Sequence, residues 1–262
     1  MSTKTSEAVA PATSETRDLI LCLADTKRLL GYRYAEWMLG APELETGIAL
    51  SSMAQDEWGH ARLLYALLKA FGEDVEVLEH GREPDLYHSM DALDEPAAAW
   101  PDVVALMLVV DQALTVQLDA LRDSSHEPLR QRVEKMVEEE RFHAAHAMAW
   151  TRRLSGGGAA REAVRESVER VLPAALRWFG PDVGAAEALR EAGVTTAVSS
   201  TLRSRLLDRL RPALAVLGAE PSAMAEPDFA GIDERRRRGE GAPDAATIQR
   251  IRGDRNRAFL MD

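Results

Sequence analysis

A chain of 262 residues with 46% hydrophobic content can form one large domain with a sizeable core. Its formal net charge of −11 argues against non-specific attraction to nucleic acid or an anionic membrane, and its single cysteine, Cys22, excludes an intramolecular disulfide framework. Aromatics make up only 5% and strong helix formers dominate, so an all-α protein is expected; without an apolar leader or a long uncharged span, the expected location is cytoplasmic, with small molecules or proteins as partners.

Residues 1–15 are small and polar and read as a disordered start. A first helix is predicted from Ser14 or Thr16 to Leu39, with Ile20, Leu23, Leu30, Tyr34 and Met38 as its buried stripe. Gly40-Ala41-Pro42 reverses the chain into a second helix from about Glu43 to Phe71. Residues 72–99 lack sustained periodicity and contain Pro84 and Pro96, so they read as a long connector. A third helix from about Pro101 to Arg122 and a fourth from about Pro128 to Leu154 form a second antiparallel hairpin around the turn at Ser125. A fifth helix ends near Phe179, and a last one runs from about Thr195 to Leu217. The domain is therefore placed at 16–219, and 220–262 reads as an extended tail with dispersed apolar residues (Phe229, Ile232, Ile248, Ile251, Phe259). Its Arg235 to Arg238 run suggests a solvated arm or a segment held by another chain.

The chemistry lies in two copies of one pattern. Asp56-Glu57-Trp58-Gly59-His60 falls on the second helix and Glu139-Glu140-Arg141-Phe142-His143 on the fourth. Residues three apart share a helix face, so each Glu-x-x-His can aim a carboxylate and an imidazole at one ion. Glu57 and His60 share the stripe of Leu50, Met53, Leu64 and Leu67, and Glu140 and His143 that of Val133, Met136, Ala147 and Trp150. Charged groups thus occupy core positions, where a metal is the simplest compensating partner. Two such helices face to face define a ferritin-like four-helix bundle with a two-metal centre. Asp56 and Glu139 are placed to accept from the far nitrogens of the ligating histidines.

Residues equally distant from a tight turn lie at equal height, and around Ser125 the residue level with Glu140 is Asp111, an isolated acid in ALMLVVDQAL. The same construction around Ala41 brings Asp25-Thr26-Lys27 level with Glu57, and Lys27 continues the apolar stripe. The expected sixth ligand is replaced by an amine. It could be neutral and ligate weakly, or be protonated and pair with Glu57 or a bridging carboxylate. His146 reads as structural or solvent-facing, and His80, His88 and His126 lie in connectors without signal.

GYRYAEWMLGAPELETGIALSSMAQDEWGHARLLYALL, together with Asp111 and EEERFHAAHA, resembles the ferritin-like subunits of the bacterial phenylacetyl-CoA epoxidase family across residues 16–217. That family has a catalytic di-iron subunit and a related structural subunit without the ligands. The EW…APELE…IAL wording is closer to the structural subunit, whereas Glu57, His60, Asp111, Glu140 and His143 match five ligands of the catalytic one, and Lys27 aligns with the sixth, a first-helix glutamate. The resemblance implies a metal-dependent oxidase or monooxygenase with two Fe ions, or Mn in their place; Lys27, in the apolar stripe and level with Glu57, is the catalytic candidate. The resemblance also implies an aromatic acyl-CoA such as phenylacetyl-CoA as substrate, a separate reductase, and a homo- or hetero-oligomer. A non-catalytic structural subunit, or a metal-binding ferritin-like protein without organic substrate, is the alternative.

Overall fold

The computed structural model describes residues 13–219, 227–256 and Phe259. Helix α1 (Ser14–Glu36) starts where the Thr13 hydroxyl accepts from the Thr16 amide. Only the last three residues of the expected disordered start are described, and Ser14 and Glu15 are already helical. α1 packs along α2 (Leu44–Leu68), and the approach is close because Gly31 faces the Trp58 indole, where an added Cβ would lie 2.6 Å from Nε1.

The connector that follows holds more order than expected: α3 (Val75–His80), capped by Asp74, and short 3₁₀ turns at Pro84–Leu86 and Asp91–Leu93. α4 (Trp100–Ala105) passes through a π-helical turn at Leu106–Val110 directly into α5 (Asp111–Asp119). Among the described residues, Trp100–Asp119 is the one stretch long and apolar enough to cross a membrane by length and composition, but 89% of its most apolar window is buried inside the bundle. α6 (Glu127–Ser155) completes the second hairpin and packs on α2 and α5. α7 (Gly158–Trp178) and α9 (Ser199–Leu217) cover α4 to α6 from outside, and α8 (Ala185–Glu191) leans on α1. The protein is thus an all-α bundle with additional C-terminal helices.

The tail departs from its sequence reading, because it packs on its own bundle. Arg238 is fully buried; it donates to the Ser89 carbonyl at 3.1 Å and to Asp94 Oδ2 at 2.6 Å. Arg237 accepts a left-handed backbone (φ 52°), reaches Gln117 Oε1 at 2.9 Å and lies over the Trp178 ring. Arg235 pairs with Asp18, and Arg236 with the Tyr87 carbonyl. A further helix, α10 (Ala245–Arg252), buries Ile248 and Ile251 and sets Thr247 against Arg33. Arginines reach buried carbonyls and carboxylates with fork geometry, so a charge run that reads as solvated can be a clasp. Residues 220–226, which include the expected domain boundary, lie outside the described residues.

On the outer side of α1, Asp25 is fully buried and accepts four bonds: from both terminal nitrogens of Arg82 (2.8 and 2.5 Å), the Tyr65 hydroxyl (2.5 Å) and the His88 amide (2.7 Å). Burial raises the Asp25 pKa, but the Arg82 charge and hydrogen bonds outweigh it and hold the carboxyl below its ordinary value. The neighbouring His88 ring is pushed down to about 4, first by burial and then by Arg82, against the opposing pull of Asp25. A histidine depressed in the folded state stabilises fully above its unfolded value near 6.5, and that contribution is lost as pH falls toward 4. Denaturant unfolding at pH 7 and pH 4.5 should therefore show the native protein losing a few kcal/mol, at about 1.4 kcal/mol for each tenfold difference in proton affinity, with a smaller loss in His88→Gln. Equal pH slopes for the two proteins would contradict this assignment.

Candidate metal centre

α1, α2, α5 and α6 all present polar groups to the middle of the bundle. Lys27, Glu57, Asp111 and Glu140 are all buried, with His60 and His143 at 2% and 1% exposure. The structure brings one ligand atom from each of Glu57, Asp111, Glu140 and His143 within 4.8 Å of one another. His143 Nδ1 lies 3.5 Å from Glu57 Oε1, Asp111 Oδ2 and Glu140 Oε2. His60 stands to one side, its Nδ1 3.6 Å from the other oxygen of Glu140, Oε1.

Each histidine is held from behind by the acid preceding the glutamate of the opposite helix. His60 Nε2 meets Glu139 Oε2 at 2.6 Å, and His143 Nε2 meets Asp56 Oδ2 at 3.3 Å. An Nε2–H donor to a carboxylate leaves Nδ1 to face the centre, the arrangement that orients an imidazole for an ion. Both Nδ1 atoms are buried without a hydrogen-bond partner, as are Asp111 Oδ1 and Glu140 Oε2. Such orphaned atoms are costly in a protein interior, and a cation among them removes the cost. Carboxylates and imidazole together suit a divalent transition metal such as iron or manganese.

Lys27 faces inward. Its Nζ donates to Glu57 Oε1 and Oε2 at 3.1 and 3.0 Å and to Glu140 Oε1 at 2.5 Å. Three N–H donors against three carboxylate oxygens are the valence of an ammonium, which has no lone pair for a metal. Burial acts against its charge, but Glu140, Glu57 and Asp111 outweigh burial and hold the lysine above its ordinary value. The neutral, ligating amine is therefore set aside. Conversely, Lys27 holds Glu140 well below the carboxylate range against the opposing effect of burial. Burial and then the Glu140 charge push Asp111 up to about 7. His143 is raised despite burial, first by the Asp111 charge.

Tyr34, which the sequence places in the apolar stripe, has a second role. Its hydroxyl donates to Asp111 Oδ2 at 2.6 Å, and burial followed by the Asp111 charge keeps the phenol protonated. The available signal was its spacing, since a residue seven after Lys27 returns to the same helix face. Asp25, two residues from Lys27, points the other way and takes no part in the centre.

Four helices with two facing Glu-x-x-His pairs, backed by acids, form a ferritin-like bundle that encloses a buried acid-histidine cluster able to hold a metal ion. The chain matches the phenylacetic acid catabolic protein family over residues 1–236 and belongs to it. Two different subunits of the 1,2-phenylacetyl-CoA epoxidase of Escherichia coli are similar to it. With the first it shares 29% identity over 139 residues, covering 52% of this chain and 56% of that relative. With the second it shares 28% identity over 190 residues, covering 70% of this chain and 60% of that relative. The chain thus spans somewhat over half the length of these relatives.

Proposed function

We propose that the protein is a subunit of a multicomponent oxygenase and that its buried centre holds transition metal for O₂-dependent oxidation. The observation that carries this reading is the pair of orphaned atoms, His143 Nδ1 and Glu140 Oε2, 3.5 Å apart in a cluster where Glu57 and Asp111 also bring a ligand atom, with each histidine fixed from behind. Glu57, Asp111, Glu140 and His143 would hold the metal, and iron bound there would supply the redox chemistry for activating O₂. The chain's own part is geometry and dryness. Val104, Met107, Leu114, Met53 and Leu50 are buried along the same helices and keep water out. Tyr34 fixes one oxygen of Asp111, and Lys27 fixes both carboxylates that α2 and α6 contribute. An aromatic acyl-CoA substrate and a separate reductase are part of the proposal, supported by the family and by the names of the two relatives.

One observation favours a second reading, a structural subunit. With Lys27 between Glu57 and Glu140, the cluster is partly neutralised without any ion, as a non-catalytic partner would require. Oxygen consumption distinguishes the two. Protein reconstituted anaerobically with iron(II) and given a chemical reductant is expected to consume O₂ faster than its His143→Ala variant by an order of magnitude or more. Equal rates would leave the structural-subunit reading standing.

A further inference from the structure

The two-ion centre of the wider class does not fit this chain. We infer that the protein takes a single divalent transition-metal ion on Glu57, Asp111, Glu140 and His143, with the Lys27 ammonium standing where the second ion would be. This rests on the reading of the cluster as a metal site.

Glu140 behaves as a bridge between two cations. Oε1 accepts from Lys27 Nζ, while Oε2, without a partner, turns toward His143 Nδ1. Glu57 likewise spans both halves, because its oxygens accept from Lys27 and Oε1 also faces His143. The half lined by His60 is therefore filled: at 2.5 Å the ammonium contacts the same Glu140 oxygen that His60 Nδ1 faces, and its positive charge there repels a second cation. The other half remains open to an ion, with four ligand atoms converging.

Formal charge among the innermost groups points the same way. Three inner carboxylates, Glu57, Asp111 and Glu140, carry three negative charges, which one ammonium and one divalent ion cancel. A second divalent ion would have to be balanced by Asp56 and Glu139, which are partly exposed and reach the cluster only through the outer nitrogens of the two histidines, so its charge would be poorly compensated at the buried core. Replacing the amine by a fourth carboxylate would make room for that ion in both space and charge.

The two histidines should consequently behave differently. In a two-ion centre each ligates one metal. In the single-ion centre only His143 does, and His60 is a positioning residue held by Glu139. The test is full-length protein titrated anaerobically with manganese(II), with bound metal counted by elemental analysis and its environment read by electron paramagnetic resonance. The native protein is expected to bind one ion per chain with the six-line signal of isolated manganese. His60→Ala should retain that ion within a few-fold in affinity, and His143→Ala should lose at least 100-fold. Lys27→Glu should bind two ions and show the exchange-coupled signal of a pair. Two ions in the native protein, or loss of the ion in His60→Ala, would overturn the inference and leave the proposed function intact. No ion in native protein or in Lys27→Glu would overturn both. Circular dichroism of each variant separates lost binding from lost fold.

Discussion

Asp25→Ala is expected to lower the unfolding free energy by about 3–5 kcal/mol, the usual cost of removing one member of a buried ion pair. The magnitude follows from what would be left behind. The Arg82 guanidinium is 5% exposed, and its remaining acceptors, the Leu78 and Leu86 carbonyls and the Tyr65 hydroxyl, are all neutral, so its charge would stay buried without a counter-ion. The Tyr65 hydroxyl and the His88 amide would lose acceptors as well. Asp25→Asn should cost nearly as much, because the amide keeps the shape but not the charge. Since the native carboxyl titrates below its unfolded value, its contribution is present above about pH 4 and is lost as pH falls through the folded value. Denaturant midpoints of Asp25→Ala, Arg82→Met and the double variant would test the assignment. The double variant should be clearly more stable than the sum of the single effects predicts. Additive effects, or a loss under about 1 kcal/mol for Asp25→Ala, would mean that water already serves this site.

Ending the chain after Ala219 is expected to remove roughly 5 kcal/mol or more, a large share of the stability of an ordinary domain. Ile248 and Ile251 are buried at 0% and 4% exposure, and fully burying such side chains contributes about 1.5–3 kcal/mol each. Arg238 pairs with Asp94 and Asp91 and partly offsets the burial that holds Asp94 above its ordinary value. Arg33, at 1% exposure, would lose its bond to Thr247. The truncated protein should melt well below the native one, and Arg238→Ala should reproduce part of the loss. A truncated protein of native stability would return the tail to the role its sequence suggested, binding to another chain.

The difference between the legible centre and the illegible tail has a physical basis. Glu57, His60, Glu140 and His143 interrupt regular apolar stripes, and a helix converts spacing into direction, so their inward aim could be read from the chain. Equal height across a short turn extended the same logic to Asp111 and Lys27. Tyr34 was hidden because a tyrosine in a stripe looks like core whether or not its hydroxyl has a task. The Asp25–Arg82 pair was hidden because Arg82 lies in a connector, where no period relates position to direction. In the tail, Ile248 and Ile251 complete surfaces made by helices some 200 residues earlier, and neither creates a pattern that a local window can register.

The π-helical turn at Leu106–Val110 ends on the residue before Asp111. A π turn accommodates one residue more than an α turn, and one residue in an α-helix is a rotation of about 100°. Every residue of the turn is buried and apolar, so gaining or losing one would still leave a hydrophobic helix that a folding assay would accept. It would also swing Asp111 out of line with His143 and Tyr34. Helix length at this point is therefore not a neutral character among relatives: a single-codon deletion could silence the centre while every residue that makes it remained in the gene.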